Sequence, residues 1–98
     1  MTIQKETSGS TLKIILAGRL DTTTAPTLEA ELKQSVRDIK ELIFDFSGVE
    51  YISSAGLRVL LTAQKMMNRQ GTMKLLGVNP DVMEVFKITG FSNILTIE

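Results

Sequence analysis

The chain has 98 residues, 43% hydrophobic and 22% charged, a size and composition typical of one globular domain with a modest core. Its 11 basic and 11 acidic residues cancel, and since nucleic-acid-binding domains usually carry a basic excess, the charge argues against nucleic acid as a partner. Without cysteine or histidine, the chain can form no disulfide framework, no His-dependent catalytic triad and few kinds of zinc site.

The chain begins with two segments that predict a β-hairpin. A weakly signalled edge strand over residues 2–7 is followed by a Ser/Gly turn at residues 8–10, because these residue types tolerate tight backbone geometry. The next strand is predicted over residues 11–18. Its apolar residues are expected on both faces, with Leu12, Ile14 and Leu16 on one and Ile15 and Ala17 on the other.

The hydrophobic period then becomes that of a helix reaching about residue 40. Its stripe is formed by Ala25, Leu28, Leu32, Ser35, Val36 and Ile39. Asp21 and the threonines at 22–24 come just before this stripe, and their oxygens can accept the free N–H groups of the first helical turn. Pro26 suits that turn, where a backbone N–H has no helical partner.

A strand and a second helix follow. Consecutive apolar residues at 42–44 predict a strand over 41–46 that is covered on both faces, as in a sheet with helices packed on it. Residues 47–51 are predicted to form a loop. The stretch 55–70 has a broad apolar stripe at helical spacing, and Gly71 is expected to end this helix.

The remaining segments predict a strand over 72–78, a helix, and a closing strand over 91–98. The helix has clear boundaries, because Asn79 can cap it, Pro80 fits its first position and Gly90 fits the position after its end. The order is therefore β-β-α-β-α-β-α-β. Strands separated by helices need crossover connections, so we expect an α/β domain with a mixed, mostly parallel sheet.

The sequence also bears on where the protein works. The first ten residues have no apolar signal core, and no apolar run reaches the roughly 18 residues that span a bilayer. No basic amphipathic helix predicts binding to a membrane surface. We therefore expect a cytoplasmic protein that does not use a membrane.

Catalysis has little support in the sequence. Ser53 and Ser54 are candidate nucleophiles, but the chain has no histidine to act as base and no Ser-x-x-Lys pattern surrounds them. The carboxylates Asp21, Asp45 and Glu50 are scattered, and no glycine-rich phosphate-loop pattern is present. We therefore expect a protein that is not an enzyme.

The stretch "YISSAGLRVLL", in which two serines precede an apolar helix, has two interpretations. Ser54 can be a helix cap that accepts the N–H of Gly56 or Leu57, and the residues alone favour this interpretation. Alternatively, a phosphate on this hydroxyl would meet free N–H donors and would add about −1.5 to −2 charges, acting as a switch. Gly56 in the first turn is explained either by a close approach of another backbone, from this chain or a partner, or by simple tolerance near a helix end. If the middle of the sheet is parallel, "DTTTAP" would lie at the same end.

The run "LIFDFSGVEYISSAGLRVLL" resembles the signature of STAS domains, above all that of the bacterial anti-sigma factor antagonists. The two parts of the signature are matched by Asp45, Phe46 and Ser47 and by Ser54, Ala55, Gly56 and Leu57. Upstream, "LAGRLDTTTAPTLE" places Asp21 on the family's acidic position before the first helix. Downstream, "NPDVMEVFKITGFSNILTI" resembles the family's closing helix and strand, so residues 1–98 are expected to form one STAS domain.

The resemblance implies a phosphoprotein that regulates transcription through a sigma factor. In such antagonists the unphosphorylated form binds an anti-sigma factor that is also a serine kinase, and thereby releases the sigma factor. Phosphorylation at the position of Ser54 ends the binding, and a serine phosphatase restores it. The kinase would bring ATP and magnesium, so this chain is expected to need no cofactor or metal of its own and to be a monomer.

Carried over to this sequence, the resemblance implies a partner-binding surface of Asp21, Thr22, Thr23, Ser53, Ser54, Ala55, Gly56 and Arg58. Ser53 stands where the family usually has Asp, and its hydroxyl could be a second phosphate acceptor. This replacement favours an alternative, a constitutive STAS module of a lipid-transport or signalling-scaffold complex that is not phosphorylated. A small-ligand or nucleotide binder is a third alternative, and it would need a pocket.

Overall fold

The computed structural model describes all 98 residues and shows a small α/β fold. The strands are β1 (Thr2–Ser8), β2 (Thr11–Leu20), β3 (Glu41–Ile52) and β4 (Thr72–Leu76). The helices are α1 (Ala25–Ser35), α2 (Ser54–Asn68) and α3 (Pro80–Thr89), followed by a 3₁₀ turn at Phe91–Asn93. The four strands form one mixed sheet in the order β1-β2-β3-β4, in which β1 and β2 are antiparallel and β2, β3 and β4 are parallel.

The core lies on one face of this sheet. Alternate residues of the three parallel strands are buried there: Leu12, Ile14, Leu16, Leu42, Phe44, Phe46, Met73 and Leu75. Phe86 of α3 packs on this face, with its ring centroid 6.3 Å from that of Phe46. On the opposite face Ile15 and Ile43 are only half-buried. The prediction that β3 is covered on both faces is therefore wrong, because its outward residues stay partly exposed.

The largest differences between predicted and observed boundaries lie in β3 and α1, whereas β2 ends two residues later and β4 two residues earlier than predicted. Strand β3 continues through the predicted loop at 47–51, since Val49 and Ile52 keep burying their side chains along it. Helix α1 ends at Ser35 rather than near residue 40, yet Val36 and Ile39 in the following segment are also buried. The two errors have different causes. In β3 the spacing of buried residues changes from two to three after Phe46, where the register with β2 shifts, so the alternating pattern ends before the strand does. After α1, buried apolar residues continue at helical spacing although the helix has ended.

The predicted closing strand is wrong, and the element order is β-β-α-β-α-β-α. After Gly90 the chain forms the 3₁₀ turn, which leaves only the last few residues to reach the exposed edge of β4. They make a single parallel bridge between Leu75 and Ile97. In it the Leu75 N–H donates to the Thr96 carbonyl and the Glu98 N–H to the Leu75 carbonyl, each at 2.9 Å.

Helix α3 has the predicted boundaries. Asn79 accepts the N–H of Val82 through its side-chain oxygen at 2.8 Å, Pro80 opens the helix, and Gly90 closes it with φ 81°. Helix α2 is the longest helix, and none of the three is long and apolar enough to cross a membrane. Its N-terminus follows directly on the end of β3, and this position determines where the candidate site lies.

Candidate functional site

The candidate site lies at the edge of the sheet where β2 and β3 end. These strands are parallel and in register at Leu20 and Ile52, so their carboxyl ends lie side by side. The Ser53 N–H donates a hydrogen bond of 2.9 Å to the Leu20 carbonyl, and this bond holds the segments that follow β2 and β3 next to each other. The prediction that "DTTTAP" and "SSAG" share one end of the sheet is confirmed, because the first follows β2 and the second follows β3.

Asp21 organises the loop between β2 and α1. Its Oδ1 accepts the Thr23 hydroxyl at 2.8 Å, the Thr23 N–H at 3.0 Å and the Thr24 N–H at 3.2 Å. These hydrogen bonds, with that from the Thr23 hydroxyl as the largest contribution, outweigh partial desolvation and lower the pKa of Asp21 to about 2. The carboxylate is thus charged at neutral pH and holds the loop in shape.

The loop threonines do not cap α1 as the sequence predicted. Thr24 occupies the N-cap position but makes no side-chain cap hydrogen bond. Its hydroxyl donates instead to the Arg19 carbonyl at 2.8 Å and accepts the Asp21 N–H at the same distance. Thr22 and Thr23 lie exposed on the turn before it.

The two serines have different environments, and the prediction that Ser54 is the cap of α2 is wrong. Ser53 is the N-cap, with extended backbone, and Ser54 is the first helical residue. The Ser53 carbonyl accepts the Leu57 N–H at 3.0 Å, but the Ser53 hydroxyl oxygen is buried without any hydrogen-bond partner. The cap position is therefore occupied by a serine whose side chain does not cap.

Ser54 is exposed at the start of α2, and no hydrogen bond engages its hydroxyl. The N–H groups of Ser54, Ala55 and Gly56 lie in the first helical turn, where no helical carbonyl can accept them, and the Ser53 side chain does not cap any of them. These free donors give the helix end a partial positive charge. Ser54 thus combines an accessible nucleophilic oxygen with surroundings that favour an added anion.

Gly56 holds α2 against the strand ends. A Cβ there would come within 2.8 Å of the Leu20 side chain, 2.9 Å of the Ile52 side chain and 2.9 Å of the Leu20 carbonyl oxygen. The close approach that the sequence suggested is confirmed. Gly56 itself is buried, and its lack of a side chain lets the first turn of α2, which carries Ser54, pack directly on the strand ends.

A groove of about 490 Å³ runs between α1 and α2 beside Ser54. Its floor is formed by Ala25, Ala55 and Val59, and its rim includes Thr22 and three charged side chains: Glu29, Lys33 and Arg58. Glu29 and Lys33 form an ion pair with each other at 3.4 Å, whereas Arg58 pairs with no carboxylate. Arg58 is exposed, and so this part of the predicted surface has one uncompensated positive charge.

Arg19 and Tyr51 belong to this edge of the sheet but were not predicted. They are paired in the β2–β3 register, and the Arg19 guanidinium carbon lies 4.2 Å from the centroid of the Tyr51 ring. Arg19 Nε is also 3.5 Å from Asp21 Oδ2. The two residues are far apart in the sequence, and only the strand register brings them together.

Asp45 and Ser47 match the family signature but do not lie at this edge. Asp45 Oδ1 accepts the Ser47 hydroxyl at 2.6 Å and the Ser47 N–H at 2.9 Å, and these bonds lower the pKa of Asp45. Asp45 pairs with Leu76 at the end of β4 and lies seven residues before Ile52, about 20 Å along an extended strand. The pair shapes β3 where β4 ends. No group of three or more carboxylates could hold a metal ion.

Comparisons with known proteins agree on one family. The STAS domain family matches residues 2–98. The putative anti-sigma factor antagonist BtrV of Bordetella bronchiseptica is 40% identical over 84 residues, covering 84% of this chain and 72% of that protein. The anti-sigma-B factor antagonist of Listeria monocytogenes is 35% identical over 98 residues, covering 96% of this chain and 84% of that protein.

The anti-sigma factor antagonist SpoIIAA, 21% identical, shares the fold. Its unphosphorylated form has a TM-score of 0.79 over 99% of this chain and 87% of that chain. Its phosphorylated form has a TM-score of 0.77 over 99% of this chain and 91% of that chain. The chain therefore belongs to the STAS domain family and, within it, to the anti-sigma factor antagonists, which are regulators rather than enzymes.

Proposed function

We propose that this protein binds an anti-sigma factor that is also a serine kinase, and that phosphorylation of Ser54 switches the binding off. The observation that carries the proposal is the exposed Ser54 hydroxyl at the first position of α2. It lies on the edge of the sheet to which the Asp21 loop also belongs. A partner docked on this edge would contact Asp21, Thr22, Thr23, Ser54 and Ala55 together.

Phosphorylation in related proteins supports this proposal. SpoIIAA has been solved in both an unphosphorylated and a phosphorylated form, and both have the fold of this chain. A switch of this kind needs no change of fold. It needs only a surface that a partner recognises in one charge state and rejects in the other.

The chemistry requires ATP and Mg²⁺ on the partner. The Ser54 hydroxyl oxygen would attack the γ-phosphorus of ATP and lose its proton to a base of the partner, while ADP leaves. The burial of the Ser53 hydroxyl supports Ser54 as the acceptor, because an enclosed oxygen cannot approach a nucleotide held by another protein. A serine phosphatase would restore the binding form by hydrolysing the phosphate.

A phosphate at Ser54 would weaken docking through charge and desolvation. It adds about −1.5 to −2 charges to an edge where Asp21 is paired with Arg19 and only Arg58 is uncompensated, so the local charge changes from positive to negative. An imperfectly paired anion costs a few kcal/mol to bury in an interface. The unphosphorylated surface, in contrast, offers hydroxyls and free N–H groups that a partner can pair with.

The mass of the protein from its own host, with and without phosphatase treatment, tests the modification. We expect one phosphate on Ser54, absent from the Ser54→Ala variant and retained in Ser92→Ala. A partner recovered by pull-down with the wild-type protein should fail to bind Ser54→Asp. If Ser54→Asp binds that partner as well as wild type does, the switch is refuted.

The constitutive module is the second candidate function, and the Ser53 position favours it. A neutral, buried hydroxyl replaces the carboxylate that the family usually has there, so a kinase loses one recognition feature. Such a module would carry no phosphate in growing or stressed cells. Its wild-type form and its Ser54→Ala variant would bind the partner with equal affinity.

A further inference from the structure

We propose that Arg58 is the counter-ion of the Ser54 phosphate, and that this pairing removes the cation that a carboxylate of the partner binds. The proposal rests on the phosphorylation of Ser54 proposed above. In the unphosphorylated protein Arg58 is free to bind the partner. After phosphorylation the two side chains of one helical turn pair with each other, and because the phosphate carries more charge than Arg58, the partner's carboxylate meets a negative rather than a positive surface.

The position of Arg58 on α2 carries the first step. Ser54 and Arg58 are four residues apart on the helix, a spacing that makes side chains neighbours on the helix surface. Both are exposed. Because helical side chains lean toward the N-terminus, Arg58 leans toward the turn that holds Ser54.

The charges around the groove carry the second step. Of the three charged residues that line it, Glu29 and Lys33 compensate each other at 3.4 Å. At the neighbouring loop, Arg19 and Asp21 also pair, at 3.5 Å. Arg58 is left without a counter-ion, and α2 contains no carboxylate that could supply one.

The guanidinium group suits both of its proposed partners. Arginine binds carboxylate and phosphate groups through two parallel N–H donors, and such charge-assisted pairs are the stronger hydrogen bonds in proteins. A phosphate with about −1.5 to −2 charges, attached one turn away, competes with a carboxylate that must be brought by another molecule. The local charge then changes sign, because one positive charge is outweighed.

The test uses the full chain with phosphoserine incorporated at position 54. The second pKa of the phosphate, ordinarily about 6, is followed by ³¹P NMR in wild type and in Arg58→Gln. We expect the pKa to rise by about 0.2 to 0.7 in Arg58→Gln, the change that corresponds to an exposed ion pair. Arg58→Lys should give an intermediate value, because it keeps the charge without the two parallel donors.

Arg69→Gln is the matched control. It removes the same charge from the C-cap of the same helix, 15 residues from Ser54, or about 22 Å along the axis. This distance exceeds the Debye length of about 10 Å at 0.1 M salt, so the phosphate pKa should not change. Equal pKa values in wild type, Arg58→Gln and Arg69→Gln would refute the pairing.

The second arm measures partner binding. We expect unphosphorylated Arg58→Gln to bind the partner at least tenfold more weakly than wild type or Arg69→Gln, because a charged interface pair is broken. The loss caused by phosphorylation should also be smaller in Arg58→Gln. Undiminished binding by Arg58→Gln would refute the role of Arg58 in docking. If the phosphate pKa rises in Arg58→Gln but the unphosphorylated wild-type protein binds no anti-sigma factor, the pairing stands and the proposed function is refuted instead.

Discussion

The backbone N–H of Ser53 donates a hydrogen bond of 2.9 Å to the carbonyl of Leu20, and this contact joins the two strand ends from which the candidate site is built. Leu20 is the last residue of β2 and is fully buried. The residues that follow each strand, Asp21 on one side and Ser54 on the other, are thereby held on one surface.

Replacing Gly56 with alanine is expected to destabilise the protein by about 1–3 kcal/mol, because the new methyl group would overlap the side chains of Leu20 and Ile52. The free energy of unfolding, measured by urea denaturation, checks this. In an unobstructed helix the same substitution would stabilise by up to about 1 kcal/mol. A stabilised Gly56→Ala protein would therefore contradict the contact.

The caps of α2 and α3 provide a matched pair of substitutions. Ser53→Ala removes a buried hydroxyl that makes no hydrogen bond, so stability should stay constant or rise by up to about 1 kcal/mol. Asn79→Ala removes a cap bond of 2.8 Å to the Val82 N–H and a bond of 2.8 Å to the Val49 carbonyl, and should cost about 1–2 kcal/mol. Thermal unfolding of both variants measures the difference. A loss of stability in Ser53→Ala equal to that in Asn79→Ala would show that Ser53 caps α2 after all.

The contrast between these two caps shows which helix start could be predicted from the sequence and which could not. At Asn79 a good capping residue, a proline and a closing glycine all indicate the same helix, and the structure has it. At Ser53 and Ser54 two equally good capping residues stand together, so the sequence could not say which one precedes the helix. The choice depends on where β3 ends, and that is fixed by the Ser53–Leu20 hydrogen bond across the sheet.

Tertiary contacts also explain the other differences. The burial of Val36 and Ile39 continues the helical stripe beyond Ser35, so periodicity alone extends α1 too far. The contact of Arg19 with Tyr51 depends on strand register, which no local pattern contains. In contrast, the shared end of "DTTTAP" and "SSAG" could be predicted, because parallel strands always place their carboxyl ends together.

The stability of the protein should fall between about pH 4 and pH 2 through Asp21. Its pKa is lowered from the usual 3.8 to about 2 in the folded protein, chiefly by the Thr23 hydroxyl. A lowered folded-state pKa contributes stability above the unfolded-state value, and this contribution is lost as the pH falls through the folded-state pKa. Asp21→Asn should therefore show a weaker pH dependence of its urea midpoint over this range than wild type.

Thr23→Ala and Thr22→Ala test whether the Thr23 hydroxyl is the cause of the lowered Asp21 pKa. Thr23 donates its hydroxyl to Asp21, whereas Thr22 makes no hydrogen bond to this carboxylate. NMR titration of the Asp21 carboxyl carbon should show a raised pKa in Thr23→Ala and an unchanged pKa in Thr22→Ala. Equal pKa values in the two variants would contradict the assigned role of Thr23.

Gly71 and Gly90 both follow helices, and the sequence assigned both the role of ending them, but the structure gives them different roles. Gly90 has φ 81° and open space around it, so Gly90→Ala should cost about 1 kcal/mol through backbone strain alone. Gly71 does not have a positive φ, but a Cβ there would overlap the Lys40 carbonyl, which accepts the Thr72 N–H at 2.9 Å as β4 begins beside β3. Gly71→Ala must displace one backbone from another and should cost about 3 kcal/mol or more. Urea denaturation of the two variants measures this order, and a greater loss in Gly90→Ala would show that the Lys40 contact yields easily.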